Sequence, residues 1–200
     1  YMPEGCLVWY DFQDEFGCPD LSSNGVDGIL TGTARVAAPV SGYCRRFNGT
    51  SDYVSIPLTE AGNSFTYEMI FMRKTAHTRI LLDIQTGRYA ISFDASKKLF
   101  IYDTSDKYFN SITLADNTWY HLVISVASNG DASAYLNGTF VETVTTDTPA
   151  IGGLVKFGSH NDGTMLYFDG DAGLLRIYEG TLDSTSIASL YNQDKARFGI

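Results

Sequence analysis

The 200-residue chain has no apolar run approaching the roughly 20 residues that a membrane-spanning helix needs, so we expect no membrane insertion. No cationic segment followed by an apolar segment opens the chain, and we expect any export signal to have been removed or to lie outside this sequence. Basic residues are also scarce, with 14 Lys and Arg against 23 Asp and Glu. Because nucleic-acid binding needs clustered Lys and Arg, this composition argues against a nucleic-acid partner.

Cysteine is sparse and odd in number. Cys6, Cys18 and Cys44 are not the even set of a disulfide framework, and no pair has the Cys-x-x-Cys spacing of a zinc site. One disulfide plus a free thiol and three reduced thiols are both compatible with the sequence. Catalytic motifs are missing as well: there is no Gly-x-Ser-x-Gly, no His-Glu-x-x-His and no phosphate-binding loop.

Two Asn-Gly pairs organise the middle of the chain. Asn129-Gly130 and Asn137-Gly138 separate runs in which apolar residues alternate with polar ones. Asn-Gly favours a type I′ turn, which needs positive φ at both central residues. The sequence therefore predicts a three-stranded meander over residues 119–127, 131–136 and 139–145.

Further strands are predicted on both sides of this meander. Residues 64–72 carry apolar side chains on both faces, which is typical of a central strand. Residues 88–93 alternate large apolar side chains with small or polar ones, which predicts a half-buried strand. The other predicted strands span residues 5–12, 29–36, 42–47, 52–57, 79–85, 97–102, 108–114, 154–158 and 172–178.

One helix is predicted, over residues 184–192. Asp183 or the first residue of this range can cap its free N–H groups, and Ile187, Leu190 and Tyr191 follow the helical i, i+3, i+4 spacing. We expect this helix to lie against the edge of the sheets. About a dozen short strands with turn signals at close spacing predict an all-β antiparallel sandwich, and we interpret the whole chain, residues 1–200, as a single domain.

Several short blocks occur in a characteristic order along the chain. They are LVWYDF (7–12), DLSSNG (20–25), RFNG (46–49), DYVSIP (52–57), SFTYE (64–68), WYHL (119–122), YLNG (135–138), RIY (176–178) and Ile187 with Leu190-Tyr191. In this order they resemble the laminin-G-like jelly-roll family of the concanavalin A-like lectin/glucanase superfamily. The resemblance implies a two-sheet antiparallel jelly roll with one short C-terminal helix, in a surface, secreted or virion protein.

The resemblance also implies a class of role. Relatives are usually non-catalytic modules that bind glycans or protein partners through rim loops, often with one Ca²⁺. We therefore predict a recognition module that is not an enzyme and binds a glycan or a surface protein. A structural domain that assembles with other chains of a phage or bacterial appendage is the alternative, and a glycan hydrolase or lyase is the third. Ile70 stands where relatives often carry Trp, and Asn48 where they often carry Asp.

Catalysis would need paired carboxylates. The glucanase branch of the superfamily uses a Glu-x-Asp-x-x-Glu strand, in which two carboxylates divide the roles of nucleophile and acid. That motif is absent, and Glu68 is the only carboxylate within residues 65–72. Glu68 and His121 could form an acid/base pair if their strands were neighbours with both side chains on one face. We favour the interpretation that His121 packs or hydrogen-bonds within the sheet.

A metal site is predicted at an acidic corner. The resemblance implies that the first and last strands pair antiparallel, so that the end of the first lies near the start of the last. This would bring Asp11 and Asp14 towards Asp169 and Asp171, and such oxygen ligands suit Ca²⁺. A structural Ca²⁺ is therefore the candidate cofactor. The alternative is that these carboxylates cap turns through their own backbone.

Sugar-binding candidates combine aromatic and polar side chains. The candidate ligand-binding residues are Tyr108, Phe109, His160, Asn161, Asp162 and Tyr167. Tyr108 and Phe109 stand among polar residues and could stack on a sugar ring, while the 160–162 loop could hydrogen-bond its hydroxyls. The alternative is that Tyr108 and Phe109 belong to an ordinary strand, with one of them facing the core.

Overall fold

The computed structural model describes residues 3–59, 62–75, 77–84, 89–147 and 154–200. Within these ranges the chain forms fifteen β-strands followed by one α-helix. The elements are β1 (Cys6–Tyr10), β2 (Ile29–Thr31), β3 (Ala34–Ala37), β4 (Tyr43–Asn48), β5 (Tyr53–Ile56), β6 (Phe65–Arg73), β7 (Arg79–Ile84), β8 (Tyr89–Phe93), β9 (Lys98–Tyr102), β10 (Asp106–Thr113), β11 (Trp119–Val126), β12 (Asp131–Leu136), β13 (Thr139–Thr145), β14 (Val155–Phe157), β15 (Asp169–Glu179) and α1 (Ser184–Phe198). Residues 85 and 88, predicted as strand ends, lie outside the described residues.

The strands form two antiparallel sheets. The first has the order β13-β12-β11-β6-β15-β4-β3, with β1 paired to the second half of β15. The second has the order β10-β9-β8-β7-β14-β5-β2. The predicted all-β jelly roll of two antiparallel sheets with one C-terminal helix is confirmed. The predicted central strand, β6, pairs with β11 on one side and β15 on the other.

The core between the sheets is rich in aromatic rings. Phe168, which directly precedes β15, lies at the centre of one cluster. Its ring centroid is 5.6 Å from that of Phe47, 6.1 Å from those of Phe71 and Phe93, and 6.2 Å from that of Phe157. These rings come from both sheets and all of them are buried. Aromatic pairs in such tilted and edge-on contacts add to the stability gained from burial.

The predicted meander is present, with one difference in its turns. Asn137 and Gly138 have φ values of 50° and 77°, as a type I′ turn requires, and Oδ1 of Asn137 accepts a hydrogen bond from the N–H of His121 at 3.0 Å. In the other turn Gly130 has positive φ but Asn129 does not. The prediction of type I′ there is wrong because the loop holds three residues. Gly130 is the last residue of a turn that the hydrogen bond from its N–H to the carbonyl of Ala127 closes at 2.9 Å.

The helix is longer than predicted, and it lies on a face of a sheet and not at the edge of the sheets. Asp183 caps it as predicted, accepting the N–H of Ser186 at 2.7 Å, but the helix continues past residue 192 to Phe198. Phe198 is the reason, since its ring packs 4.8 Å from that of Trp119 on β11. The helix therefore covers the outer face of the first sheet, and the prediction that it lies at the edge is wrong. No helix in the described part of the chain is long and apolar enough to cross a membrane.

Candidate functional site

The outer face of the second sheet carries two rows of cross-strand partners. The first row is Ile80, Ser92, Phe100 and Tyr108, and the second is Asp83, Ala90, Tyr102 and Asp106. β8 stands in the middle of both rows and contributes the small side chains, Ala90 and Ser92. The neighbouring strands contribute larger ones, and a trough forms along β8 as a result.

This trough is part of a cleft with a volume of about 340 Å³. Its floor is made of the two rows without Tyr108. Its wall consists of Thr78 and of four residues of the loop that joins β14 to β15, which are His160, Asn161, Met165 and Leu166. We call the 160–166 segment of that loop the wall loop. We call this site the outer cleft. It also explains why the half-buried pattern predicted for residues 88–93 is wrong: Ala90 and Ser92 face away from the core but are buried beneath these walls.

Hydrogen bonds attach the wall loop to β7. The N–H of Ile80 donates to the carbonyl of Leu166 at 3.0 Å, and the N–H of Asn161 donates to Oδ2 of Asp83 at 2.9 Å. At the loop tip, Oδ1 of Asp162 lies 3.0 Å from Nδ1 of His160. Hydrogen bonds from the hydroxyl of Thr164, from His160 and from the N–H of Thr164 lower the pKa of Asp162 to about 2. The loop is thus held in place from within and from the sheet.

Several polar groups in the outer cleft have no partner in the described part of the chain. The Ser92 hydroxyl, the Tyr102 phenol, the Asp106 carboxylate and the Asn161 side-chain amide form no hydrogen bond or ion pair with another described residue. Ser92 is only 2% exposed. Tyr102 and Asn161 are half-buried and Asp106 is exposed, so these three groups are accessible to a ligand. They converge on a floor whose other members, Ile80, Ala90 and Phe100, are apolar.

Burial raises the pKa of Asp83, which is 3% exposed, and the N–H of Asn161 and the imidazole of His160 offset only part of this effect. The folded protein therefore holds the Asp83 proton more tightly than the unfolded chain does. Stability is lost as the pH rises from the unfolded pKa, 3.8, through the raised folded pKa. A carboxylate kept in this position at a cost to stability is typical of a functional site.

Replacing Asp83 with asparagine is accordingly expected to raise the free energy of unfolding at neutral pH, since Asn keeps an acceptor for the Asn161 N–H but has no charge to bury. In acid the wild-type carboxyl is protonated in both states, so the difference should shrink towards zero near pH 3. Urea unfolding at about pH 3 and about pH 7 measures this difference. The same difference at both pH values would contradict the assignment.

The structure divides the predicted ligand-binding residues. His160 and Asn161 line the outer cleft, and Tyr108 lies at its margin with its ring 5.2 Å from that of Phe100. Phe109 is fully buried on the core side of β10, so the prediction that it binds a ligand is wrong, because neighbouring residues of a strand face opposite ways.

The last two candidates hold the wall loop in place instead of lining the cleft. Asp162 is bonded to His160 and Thr164, and the phenol of Tyr167 donates to the carbonyl of Gly163. Neither side chain is among the residues that line the outer cleft. We expect both to act on ligand binding through the position of His160 and Asn161.

Sequence reasoning missed most of the floor. Ser92, Phe100, Tyr102, Asp83 and Asp106 meet only through the register of four strands, which the sequence does not give. One signal was present, because Ala90 and Ser92 alternate with large apolar residues in a strand that is otherwise suited to full burial. Small outward-facing residues in the middle of a sheet leave room for a ligand.

The acidic corner does not form as predicted. β1 and β15 do pair antiparallel, but Tyr10 lies opposite Leu175, and it is β4 that pairs with residues 169–172. The end of β1 therefore does not reach the start of β15. Asp171 is buried and bonded to Arg46 at 2.9 Å and to Lys74 at 3.2 Å, so its charge is already compensated.

The other carboxylates of that corner are occupied by turns. Asp11 accepts the backbone and side-chain N–H groups of Gln13, and Asp14 accepts two backbone N–H groups of its own loop. The carboxylate of Asp169 belongs to no cluster, and no group of three or more His, Cys, Asp or Glu residues in the described ranges could hold a metal. The predicted set Asp11, Asp14, Asp169 and Asp171 thus does not fit Ca²⁺. Binding of Ca²⁺ by this chain stays a prediction without a site.

Glu68 and His121 do meet, but away from solvent. Nε2 of His121 lies 3.1 Å from Oε1 of Glu68, and both side chains are fully buried. Glu68 also accepts hydrogen bonds from Arg176 at 3.0 Å and from the phenol of Tyr178 at 3.0 Å, and Arg176 in turn binds Asp194 of α1 at 2.9 Å. The favoured interpretation, that His121 hydrogen-bonds within the sheet, is confirmed. This network joins the helix to the first sheet.

All three cysteines are free thiols in the structure. Cys18 and Cys44 are buried, and Cys6 is partly buried. Burial raises the pKa of Cys6 and of Cys44 to about 12. Because the thiolate is the reactive form, neither of these two has the low pKa of a nucleophilic cysteine.

Comparisons with solved structures agree with this architecture. Domain 4 of AbnA, a GH43 extracellular arabinanase from Geobacillus stearothermophilus solved in complex with arabinotriose, is 21% identical with a TM-score of 0.73, covering 94% of this chain and 98% of that domain. The binding domain of Paraclostridial Mosquitocidal Protein 1 is 16% identical with a TM-score of 0.74, covering 95% of this chain and 52% of that one.

A botulinum toxin domain shows the same likeness. The binding domain of botulinum neurotoxin DC, solved in complex with rat synaptotagmin II, is 13% identical with a TM-score of 0.74, again covering 95% of this chain and 52% of that one. The chain thus spans about half the length of these toxin domains. At such identities the likeness shows the fold alone.

A match to a family model goes further. No curated protein matches the chain by sequence. The model described as the concanavalin A-like lectin/glucanases superfamily matches residues 48–188, which is more than half of the chain. Together with the two antiparallel sheets and the ordered sequence blocks, this match decides the family. The chain belongs to the laminin-G-like jelly-roll domains of the concanavalin A-like lectin/glucanase superfamily.

Proposed function

We propose that this chain is a non-catalytic carbohydrate-binding module of an extracellular protein, and that its ligand lies in the outer cleft. The observation that carries the proposal is the trough along β8, where an apolar floor meets the polar side chains of Ser92, Tyr102, Asp106 and Asn161. A sugar ring presents C–H groups on its faces and hydroxyls around its edge. Ligand sites typically combine such a mostly apolar surface with a few convergent polar groups.

Each part of the floor has a role in this proposal. Phe100 and Tyr102 stand on β9, two residues apart and on the same face, and offer aromatic surface to a ring. The Ser92 hydroxyl and the Asn161 amide can donate and accept, while the Asp106 carboxylate accepts hydrogen bonds from hydroxyls. The small side chains of β8 leave the depth for a ring between these groups.

The relatives support binding of this kind. AbnA domain 4 was solved with arabinotriose, and other structures of similar fold are toxin binding domains, one of which concerns interaction with two ganglioside molecules. These ligands are properties of those proteins. The likeness to an extracellular arabinanase and to a toxin domain that binds synaptotagmin II also supports an extracellular setting for this chain.

The positions of the carboxylates support a non-catalytic role. Asp83 and Asp106 stand on β7 and β10, three strand spacings apart in one row. Three spacings of about 4.8 Å place their backbones about 14 Å apart. Glycosidases place the carboxyl groups themselves roughly 5–9.5 Å apart, so Asp83 and Asp106 would have to turn towards each other to act as a pair. Asp83 is also engaged by the Asn161 N–H, so the pair is not suited to acid and nucleophile roles.

Oligosaccharide binding by the wild-type protein and by Tyr102→Ala tests the proposal. A glycan array followed by isothermal titration of the best neutral oligosaccharide should give saturable binding, and Tyr102→Ala should raise the Kd about tenfold or more, which is about 1.4 kcal/mol. Tyr135→Ala is the matched control, since Tyr135 is also half-buried but lies on β12 of the other sheet. Binding unaffected by Tyr102→Ala, or weakened equally by both variants, would contradict the site.

A further inference from the structure

We infer that the outer cleft selects neutral oligosaccharides and rejects glycans that carry a carboxylate, such as uronic or sialic acids. This inference rests on the proposed function and specifies its ligand class. It follows from the signs of the charges around the cleft and from the hydrogen-bonding character of the groups that line it.

Carboxylates stand at both ends of the floor. Asp83 lies at the β7 end, where it is 3% exposed, and Asp106 lies at the β10 end, where it is exposed to solvent. No Lys or Arg lines the cleft within the residues that the structure describes. A bound ring resting on Ala90 and Ser92 therefore has an acidic group on either side of it.

Two cationic side chains close to Asp83 and Thr78 in strand register or sequence, Lys156 and Arg79, have other partners. The amine of Lys156, in the row that continues from Asp83, lies 4.2 Å from the centre of the Tyr53 ring. The guanidinium of Arg79 donates to the carbonyl of Thr78. The imidazole of His160 is the one basic group that lines the described cleft, and its Nδ1 lies 3.0 Å from a carboxylate oxygen of Asp162.

An anionic sugar would lose its hydration in this site without gaining a cation. Proteins that bind carboxylates use Arg or Lys, whose N–H groups complete the hydrogen bonds of the anion. Here the facing groups are carboxylates, which can only accept hydrogen bonds and would repel the ligand. The net charge of −9 also opposes the approach of an anion. A neutral sugar instead supplies hydroxyl donors, which is what Asp106 can accept.

The experiment compares matched neutral and acidic oligosaccharides on the whole chain. Galactotriose against trigalacturonic acid of the same linkage, and cellobiose against cellobiouronic acid, differ only in carboxylates that replace hydroxymethyl groups. Titration calorimetry at low ionic strength should show the neutral member binding at least about tenfold tighter in any pair that binds, a difference of about 1.4 kcal/mol. Equal or tighter binding of the acidic member would overturn the inference while leaving the proposed function intact.

The Asp106→Lys variant tests whether the preference for neutral over acidic oligosaccharides arises in the cleft. Because Asp106 is exposed and has no side-chain partner among the described residues, the variant should keep the thermal midpoint of the wild type. It should improve the affinity for the acidic member relative to the neutral one by about tenfold. Glu4→Lys makes the same change in net charge at an exposed position before β1, in the other sheet, and should leave the ratio unchanged.

Two outcomes of this comparison would count against the inference in different ways. Equal shifts in Asp106→Lys and Glu4→Lys would mean that overall charge, and not the cleft, sets the preference, which overturns the inference. Failure of every neutral and acidic oligosaccharide to bind would overturn the proposed function itself. Asp106→Asn provides a second variant of wild-type shape and should shift the ratio in the same direction by a smaller factor.

Discussion

Replacing Arg176 with methionine is expected to lower the free energy of unfolding by about 3–5 kcal/mol, the cost of breaking a buried ion pair by removing one partner. Arg176 is 1% exposed and donates to Glu68 on β6 and to Asp194 on α1. Its guanidinium also lies 4.7 Å from the centre of the Trp9 ring. Methionine fills much of the same space but leaves Glu68 without its nearest full positive charge.

The double variant Glu68→Leu with Arg176→Met tests whether the loss of stability comes from an uncompensated buried charge. If the cost comes from an uncompensated buried charge, removing both partners should cost less than the sum of the two single variants, with a coupling of about 1–3 kcal/mol. Urea unfolding of the four proteins measures the coupling. Additive effects would show that Arg176 and Glu68 stabilise the fold independently.

The pH dependence of the same variant has a defined sign. Burial alone would raise the pKa of Glu68, but the hydrogen bond from His121 and the charge of Arg176 outweigh it, and the pKa lies below its ordinary value of 4.5. The network therefore stabilises the fold above the unfolded pKa, and this stabilisation is lost as the pH falls through the folded pKa. The penalty of Arg176→Met should be largest at neutral pH and shrink in acid.

Replacing Phe168 with alanine is expected to lower the free energy of unfolding by about 3–5 kcal/mol, because the change removes a fully buried ring and leaves a cavity. The ring of Phe168 contacts four other phenylalanines that come from both sheets. Phe168 also leads from the wall loop of the outer cleft into β15. Its loss should therefore loosen both the core and the attachment of that loop.

Phe16→Ala is the matched control for Phe168→Ala. It makes the same change at a side chain that is 90% exposed, and its effect should stay within about 0.5 kcal/mol. Chemical denaturation of both variants gives the two free energies. A cost for Phe168→Ala below about 1 kcal/mol would mean that the cluster repacks without loss, contrary to the close packing described.

Local patterns in the sequence carry most of the fold. The Asn137-Gly138 turn, the two-faced apolar run of β6 and the cap at Asp183 each depend on residues close together in the chain, and each is found as predicted. The end of α1 was missed because the polar residues after 192 hide the contribution of Phe198. That residue matters only through Trp119, which is distant in sequence.

The site was harder to predict because it depends on register. The acidic corner required the end of β1 to lie beside Asp171, and a shift of a few residues gave that place to β4 and its Arg46. The outer cleft likewise exists only because Ala90 pairs with Tyr102 and Ser92 with Phe100. The sequence predicts His160 and Asn161 as ligand-binding residues because a polar loop between two strands is visible in it. It does not show that Asp83, on another strand, accepts the N–H of Asn161.

A crystal structure of the protein soaked with the best neutral trisaccharide tests most directly whether the trough along β8 holds a neutral oligosaccharide. We expect density for a sugar ring over Ala90 and Ser92, in contact with Tyr102 and within hydrogen-bond distance of Asp106 or Asn161. A trisaccharide bound on the first sheet or at the rim away from β8, with the trough filled only by water, would contradict the account.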